Sequence, residues 1–193
     1  MSLETSKASE LLDLAEQYVR SVGYNGFSFR DLADDAGIKS ASVHYHFATK
    51  ERLAAAVARR YAERFFAAVG DTADATITAN EQMDRFVGLF RIAISDDKRL
   101  CLFCILGAEL STLPDEVQRE VRQFFADCTT WLASLIARFS AAKSLNGKDL
   151  TARAQALLAS LEGAMIVSRA DGDLAVFDSI VGELRHCGMI PRK

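Results

Sequence analysis

Proline is scarce in this chain: its 193 residues include two, Pro114 and Pro191. Because proline breaks helix interiors and favours turns, its scarcity leaves long stretches able to form successive helices. Hydrophobic residues make up 50% of the chain, which is enough to build a core and excludes an intrinsically disordered protein. We therefore predict an all-α fold.

Long apolar runs are also missing. No stretch approaches the ~20 apolar residues that a membrane span requires. The first residues, MSLETSKASELL, lack the basic start and apolar core of a secretory signal peptide. We expect a cytoplasmic protein, in which cysteines do not form structural disulfides.

Common catalytic motifs are absent, including G-x-S-x-G, the P-loop and G-x-G-x-x-G. Cys101 and Cys104 form one pair of thiols, but the second pair of ligands that zinc usually takes is missing. Of the three histidines, His44 and His46 lie together in one short segment. We therefore predict no catalytic residue, no metal site and no cofactor, and expect that the protein is not an enzyme.

A helix is predicted to begin at Phe29. Phe27 precedes Ser28, whose hydroxyl can cap the helix, and Asp31 stands at the third helical position, as in a capping box. Gly37 can adopt the left-handed conformation that closes a helix, so we expect the helix to end there.

A second, short helix is predicted over Ala41–Phe47, with Ser40 or Ser42 as its cap. Val43 and Phe47 are expected to face the core. Two helices joined by so tight a turn are typical of the helix-turn-helix, whose second helix enters the major groove of DNA.

The polar side chains of this second helix match the chemistry of DNA. Ser40 and Ser42 can bond bases or phosphates, and Ala41 offers a methyl surface for a thymine methyl. Ring donors at phosphate height are provided by His44, Tyr45 and His46. The alternative for Tyr45 and His46 is that the rings pack in a small core.

The distribution of charge along the chain also indicates that the region of the second helix binds DNA. The chain has a net charge of −3. Residues 38–60 nevertheless contain one acidic residue, Glu51, and the basic residues Lys39, Lys50, Arg52, Arg59 and Arg60. A local cationic stretch can neutralise phosphates even on an acidic protein. Lys50 is expected to favour a phosphate together with backbone N–H groups at a helix start. Without the motif, ordinary solvated charges would explain the same residues.

Three segments resemble the N-terminal domain of the TetR family of bacterial transcriptional regulators: FRDLADDAGI at 29–38, SVHYHF at 42–47 and KERL at 50–53. The resemblance covers about residues 7–62. It implies a homodimeric, all-helical repressor whose C-terminal domain binds a small molecule and thereby releases DNA. One departure is His44, where the family usually has tyrosine. By position, the resemblance implies DNA contacts for Arg30, Lys39, Ser40, Ala41, Ser42, Tyr45, His46 and Lys50; Ser28 and His44 complete the predicted DNA-binding set.

A domain boundary is predicted after residue 48. We expect residues 1–48 to form a DNA-binding head of three helices and residues 49–193 to form an effector-binding and dimerisation domain, linked by a helix over 49–70. The other predicted helices cover 7–22, a start at Thr78 with a T-x-x-E capping box, 100–110, Pro114 to Phe139, 151–170 and 174–187, with polar breaks at 95–99 and 143–148.

The last two predicted helices, about 151–187, are apolar on more than one face and contain Gly163 and Gly182 in their interiors. We expect them to form a four-helix bundle with a second copy of the chain. The two heads of such a dimer would read palindromic half-sites about 34 Å apart. Burial within a single subunit is the alternative.

An effector cavity is expected in the C-terminal domain, with Glu109 or Arg91 as a polar anchor. The candidate effector-binding residues are Met83, Phe86, Phe90, Cys101, Cys104, Phe124, Cys128 and Trp131. Plain core is the simpler explanation of such apolar stripes. Arg99 lies near Cys101 and Cys104, and a nearby positive charge lowers the pKa of a thiol and makes it more reactive. These cysteines can therefore also sense oxidants or electrophiles, as some TetR-like regulators do.

The sequence thus predicts a ligand-responsive DNA-binding regulator, most simply a repressor that binds a palindromic operator as a dimer. Two other interpretations stay open. One is a dimeric ligand-binding or redox protein that does not bind DNA, and the other is a transcriptional activator.

Overall fold

The part of the chain described by the structure is helical, as predicted. The computed structural model describes residues 3–95, 99–139 and 144–190, with side chains from Lys7 onward. These ranges contain no strand, and none of their helices is long and apolar enough to cross a membrane. They contain 3₁₀ turns at Tyr24–Gly26 and Leu110–Thr112 and the helices α1 (Leu3–Val22), α2 (Phe29–Asp35), α3 (Ser40–His46), α4 (Lys50–Val69), α5 (Ala79–Ser95), α6 (Leu102–Ala108), α7 (Asp115–Ala137), α8 (Gly147–Asp171) and α9 (Leu174–His186).

Capping boxes begin two of these helices. At α2 the Ser28 hydroxyl accepts from the Asp31 N–H at 3.4 Å, while the Asp31 carboxylate accepts from the Ser28 N–H at 2.7 Å. Thr78 and Glu81 make the same reciprocal pair before α5, at 3.2 and 2.9 Å. Both predicted capping boxes are confirmed, because each places a side-chain acceptor where a first-turn N–H has no helical partner.

The start of α3 differs from the prediction. Lys39 is the extended residue before the helix, and no side chain caps it. Ser40 already belongs to the helix, so neither it nor Ser42 occupies the position from which a hydroxyl reaches the first-turn N–H groups. The predicted serine cap was wrong, and α3 depends on its tertiary contacts instead.

The bounds of two further helices differ from those predicted from the sequence. α6 is shorter than the predicted 100–110, because the chain tightens into a 3₁₀ turn after Glu109. α8 begins within the predicted connector 143–148, because the Asn146 side chain accepts from the first N–H groups of the helix at 2.9 and 3.1 Å. The break at 96–98 and residue 143 lie outside the described residues.

One compact unit consists of the described part of Met1–Glu63 together with Leu102–Phe124. Within it α6 packs on α1, and the rings of Phe103 and Phe124 stack with 3.8 Å between their centroids. Its buried side chains include Leu11, Val19, Leu32, Val43, Leu53, Val57, Leu106 and Val121.

The other compact unit consists of the described parts of Arg64–Cys101 and Phe125–Lys193. Here α8 packs on α5 and α9. Two ion pairs join α5 to α9, Arg91 with Asp178 at 2.7 Å and Arg185 with Asp84 at 2.5 Å. The predicted functional boundary after residue 48 remains a prediction.

Candidate nucleic-acid interface

Contacts from α1 to α2, and to Phe27 just before α2, orient the helix-turn-helix. The Tyr18 hydroxyl donates to the Asp35 carboxylate at 2.7 Å, and this hydrogen bond is the main reason that the pKa of Tyr18 rises to about 12. The Tyr18 ring also stacks on Phe27, with centroids 5.2 Å apart. α1 therefore sets the direction in which α2 leads the chain into α3.

The turn between α2 and α3 depends on Gly37, whose φ is +63°. The Ile38 N–H donates to the Ala33 carbonyl at 2.9 Å, and the Gly37 N–H donates to the Asp34 carbonyl at 3.2 Å. These are bonds of a Schellman helix end, in which glycine is favoured because it lacks a Cβ. The predicted end of α2 at Gly37 is confirmed.

α3 presents a small, polar side to solvent. Val43 is fully buried and ties the helix to the core, as predicted. Tyr45 is 74% exposed, so the alternative that it packs in the core does not hold. The other exposed positions of the helix are Ser40, Ala41 and His44, and Ser42 is half-buried. Small exposed side chains let a helix backbone approach the base edges in a groove.

The aromatic side chains at the end of α3 touch one another and α2. The His44 ring lies edge-on against the Phe29 ring, with centroids 4.8 Å apart. The rings of Tyr45 and His46 are nearly perpendicular at 5.3 Å. His46 and Phe47 are half-buried. The exposed His44 is thus held in place by a ring contact rather than left free in solvent.

Lys50, the first residue of α4, is turned into the head. Its ammonium donates to the Phe27 carbonyl and lies 4.6 Å from the Tyr24 ring centroid and 4.3 Å from that of Phe27. Burial lowers the pKa of Lys50, while the negative charges of Asp31 and Glu109 act in the opposite direction. Cation–π contacts and a carbonyl bond stabilise the lysine here, so its charge is partly withdrawn from the surface.

The basic residues fall into two groups. Arg59 pairs with Glu120 at 2.6 Å, and Arg60 pairs with Asp13 at 2.7 Å. These two charges are therefore neutralised within the protein. The second group is exposed and forms no ion pair with any described residue: Arg30, Lys39 and Arg52. The positive charge open to a phosphate is smaller than the sequence count suggested.

Glu109, which follows α6, closes the turn between α1 and α2. Its carboxylate accepts from the Tyr24 N–H at 2.8 Å. It also lies so close to Gly23 that a Cβ there would be 1.9 Å from Oε1. Its partner is 85 residues away in the chain, so no local pattern signals the contact, and sequence reasoning placed Glu109 in an effector site instead.

The candidate effector residues are divided between the two compact units. Cys104 and Phe124 belong to the first, and the others belong to the second. Most are core: the buried ones are Met83, Phe86, Phe90, Cys101, Phe124 and Cys128, whereas Cys104 and Trp131 are half-buried. The effector site remains a prediction.

An open groove of about 350 Å³ lies in the second unit. Trp131 lines it with Phe66, Thr72, Asp127, Thr130 and Ser134. The Trp131 indole N–H donates to the Gly70 carbonyl at 2.7 Å, and its ring stacks on Phe86 at 5.2 Å. Elsewhere in this unit, burial raises the pKa of the Cys128 thiol, and Arg91, the other suggested anchor, pairs with Asp178.

Sequence comparison relates the head to known regulators. Residues 11–57 match the profile of the family described as bacterial regulatory proteins, tetR family. The HTH-type transcriptional repressor KstR2 of Mycobacterium tuberculosis is 39% identical over 85 residues, which are 44% of this chain and 41% of that protein. The match thus spans less than half the length of this curated relative.

Solved structures match over nearly the whole chain. A TetR-family transcriptional regulator from Agrobacterium tumefaciens is 30% identical, with a TM-score of 0.85 over 94% of this chain and 96% of that one. A TetR transcriptional regulator from Legionella pneumophila shares 24% identity and a TM-score of 0.82, over 92% and 95% of the two chains. Both have the same helical fold.

Proposed function

Because the chain belongs to the TetR family of bacterial regulatory proteins, we propose that it is a repressor that binds a palindromic operator as a homodimer. It acts in the cytoplasm and leaves DNA when a small-molecule or electrophile effector binds. Its relatives are regulators of transcription, not enzymes, so the proposal needs neither a catalytic residue nor a cofactor.

The observation that carries the proposal is the exposed side of α3. Val43 is buried beneath the helix, and Ser40, Ala41 and Tyr45 remain open to solvent. A helix anchored in this way can enter the major groove, where hydroxyls bond base edges or phosphates and a methyl group meets thymine. The side chains of Tyr45 and His44 then lie beside the phosphate backbone of the DNA.

Around α3, the proposed contacts act in two ways. Arg30 and Lys39 carry exposed charges that can meet phosphates directly. The Ser28 hydroxyl is committed to Asp31, and the Lys50 ammonium to Phe27, so these two residues support DNA binding by fixing the backbone. The whole proposed set is Ser28, Arg30, Lys39, Ser40, Ala41, Ser42, His44, Tyr45, His46 and Lys50.

We assign residues 1–48 to DNA binding and residues 49–193 to effector binding and dimerisation, with α4 as the link. The open groove in the second unit supports effector binding there, because the apolar rings of Phe66 and Trp131 line it. Thiol sensing by Cys101 and Cys104 has less support, since Cys101 is buried and Cys104 is half-buried.

The exposed side of α8 supports the homodimer. Ile166 and Val167 are 49% and 51% exposed, and further exposed positions along the helix are Ala152, Ala156, Ala159 and Ala170. A Cβ built at Gly163 or Gly182 meets nothing within 4 Å, so the protomer itself does not need these glycines for packing. A second copy lying on α8 and α9 would bury the apolar side chains and bring a backbone close to the glycines.

The experiment is selection of duplexes from a random library by the purified protein, followed by binding titrations at several salt concentrations. We expect an enriched palindrome with half-sites about 10 base pairs apart, two chains per duplex, and a linear fall of log affinity with log salt. Ala41→Glu should abolish binding, because a carboxylate would face the bases. Ala67→Glu, at an exposed position of α4, is the matched control.

Failure of the unmodified protein to bind any duplex at low ionic strength would overturn the proposal. The chain would then be better described as a ligand-binding or redox protein that keeps the fold of a regulator.

A further inference from the structure

We propose that Glu109 is a positioning residue for DNA binding: its carboxylate holds the turn between α1 and α2 and thereby fixes Lys50 at the start of α4. The inference rests on the proposed function and adds to the DNA-binding head a residue far from it in sequence. The contacts that connect Glu109 to Lys50 involve Gly23 and Tyr24 in this turn.

Glu109 contacts the turn through its carboxylate. The carboxylate accepts from the Tyr24 N–H at 2.8 Å, a bond strengthened by the charge of the acceptor. Gly23 has a φ of +79°, and its missing Cβ leaves the space in which Oε1 lies. The turn therefore has both the backbone conformation and the space that admit this carboxylate.

The segment that carries Glu109 is packed against neighbouring helices. α6 packs on α1, Leu102, Phe103 and Leu106 are buried, and the Phe103 ring contacts that of Tyr61 on α4, edge-on at 5.8 Å. A second polar contact to the same turn lies three residues after Glu109, where the Asn25 side chain donates to the Thr112 hydroxyl at 3.2 Å. The segment is therefore anchored, and Glu109 meets the turn from a fixed position.

Tyr24 and Lys50 join the turn to α4. The Tyr24 ring, buried at this turn, forms one side of the site that holds the Lys50 ammonium, at 4.6 Å. Lys50 begins α4 close to the end of α3, so the lysine joins the turn to the helix start beside the DNA-facing surface. Release of the Tyr24 backbone would loosen this joint and leave α3 less well ordered for the groove.

The experiment measures affinity for the duplex selected by the unmodified protein. Glu109→Ala should bind about tenfold more weakly for each bound head, because each head loses one charge-assisted hydrogen bond that orders the turn. Glu109→Gln keeps an acceptor for the Tyr24 N–H and should stay within about threefold of the parent. Glu63→Ala removes an exposed carboxylate of the same unit that makes no hydrogen bond with a described residue, and it should bind like the parent.

Two further readouts separate positioning from a general loss of stability. Hydrogen exchange at the Tyr24 amide should become faster in Glu109→Ala and not in Glu63→Ala. In a double-mutant cycle, Glu109→Ala and Lys50→Met should together weaken DNA binding less than the product of their separate effects, because they act through one joint.

Parental affinity in Glu109→Ala, or strictly independent effects in the cycle, would overturn the inference while leaving the proposed function intact. If the unmodified protein bound no DNA, both would fall, and the two failures are thus distinguishable.

Discussion

At the scale of single residues, what surrounds a charged group decides what it can do. Lys39 and Lys50 flank the same short helix, and their sequence positions suggest similar phosphate contacts. In the structure Lys39 is exposed, whereas the Lys50 ammonium lies between two rings and a carbonyl. We therefore propose that Lys39 contacts a phosphate and that Lys50 supports the fold.

The two lysines should therefore respond differently to truncation. Lys39→Ala should weaken binding to all duplexes and flatten the salt dependence of log affinity by about one unit for each bound head, without changing thermal stability. Lys50→Ala should lower the melting temperature as well as the affinity, because it removes the cation–π contacts. Titrations at several salt concentrations and thermal unfolding of both variants provide the test. Equal melting temperatures for Lys50→Ala and the parent would contradict the assignment of Lys50.

Cysteine reactivity is a second prediction at this scale. Burial raises the pKa of Cys128, and the thiolate is the reactive form, so Cys128 should resist alkylation in the native protein. Cys187 is exposed and should be labelled first. Mass spectrometry after timed treatment with iodoacetamide checks the order, and Cys187→Ser removes the fast site as a control. Labelling of Cys128 before Cys187 would show that the core opens readily.

The contacts of these residues differ in whether the sequence alone predicts them. Val43 was correctly predicted as core, because one apolar position in a polar helix has a local signal. The partners of Lys50 and Glu109 could not be predicted in the same way. They lie 23 and 85 residues away along the chain, and only the packing of α4 and α6 brings them to the α1–α2 turn.

At the scale of elements, helix ends were predictable where a side chain completes the backbone. Ser28 with Asp31, Thr78 with Glu81 and the glycine after α2 each showed the position of a boundary. α3 has no such cap and is only seven residues long, too short to be stable alone. Its start has no side-chain cap that a local pattern could indicate, and the helix is held by the buried Val43 and by the ring contact between Phe29 and His44.

The cap of α2 has a measurable effect with a defined pH dependence. Ser28→Ala should destabilise the head by about 1 kcal/mol near neutral pH, because a first-turn N–H loses its acceptor. The hydrogen bond from Ser28 lowers the pKa of Asp31 below its ordinary 3.8. Since the Ser28 hydroxyl also donates to the Asp31 carboxylate, the folded state favours the charged carboxylate. This part of the stabilisation is present above about pH 4 and is lost as the pH falls through the folded pKa of Asp31.

Denaturant unfolding at several pH values checks this linkage. The difference in unfolding free energy between the parent and Ser28→Ala should shrink on acidification from pH 6 to pH 3. Asp35→Asn is a useful comparison, because Asp35 bonds Tyr18 and not the cap. A difference that grew on acidification would contradict the proposed role of Asp31.

At the scale of the whole molecule, the proposed dimer explains why α8 has an exposed apolar side. A protomer alone would leave Ile166 and Val167 in water beside a row of alanines. Clustered apolar residues on one helix are typical of an interface, whereas single exposed ones are common on any surface. Ile92 on α5 is of the latter kind and is 53% exposed.

These two isoleucines provide a matched pair of variants for the oligomeric state. Ile166→Glu should convert the dimer to monomers, because the symmetry of the pair would bury two carboxylates at one interface. Ile92→Glu makes the same chemical change at similar exposure and should remain dimeric. Sedimentation velocity over a range of concentrations distinguishes the two states. Because a single head contacts only one half-site, Ile166→Glu should also lose most of its affinity for the palindrome while keeping weak binding to one half-site. An Ile166→Glu protein that sediments as the parental dimer would show that the subunits meet on another face.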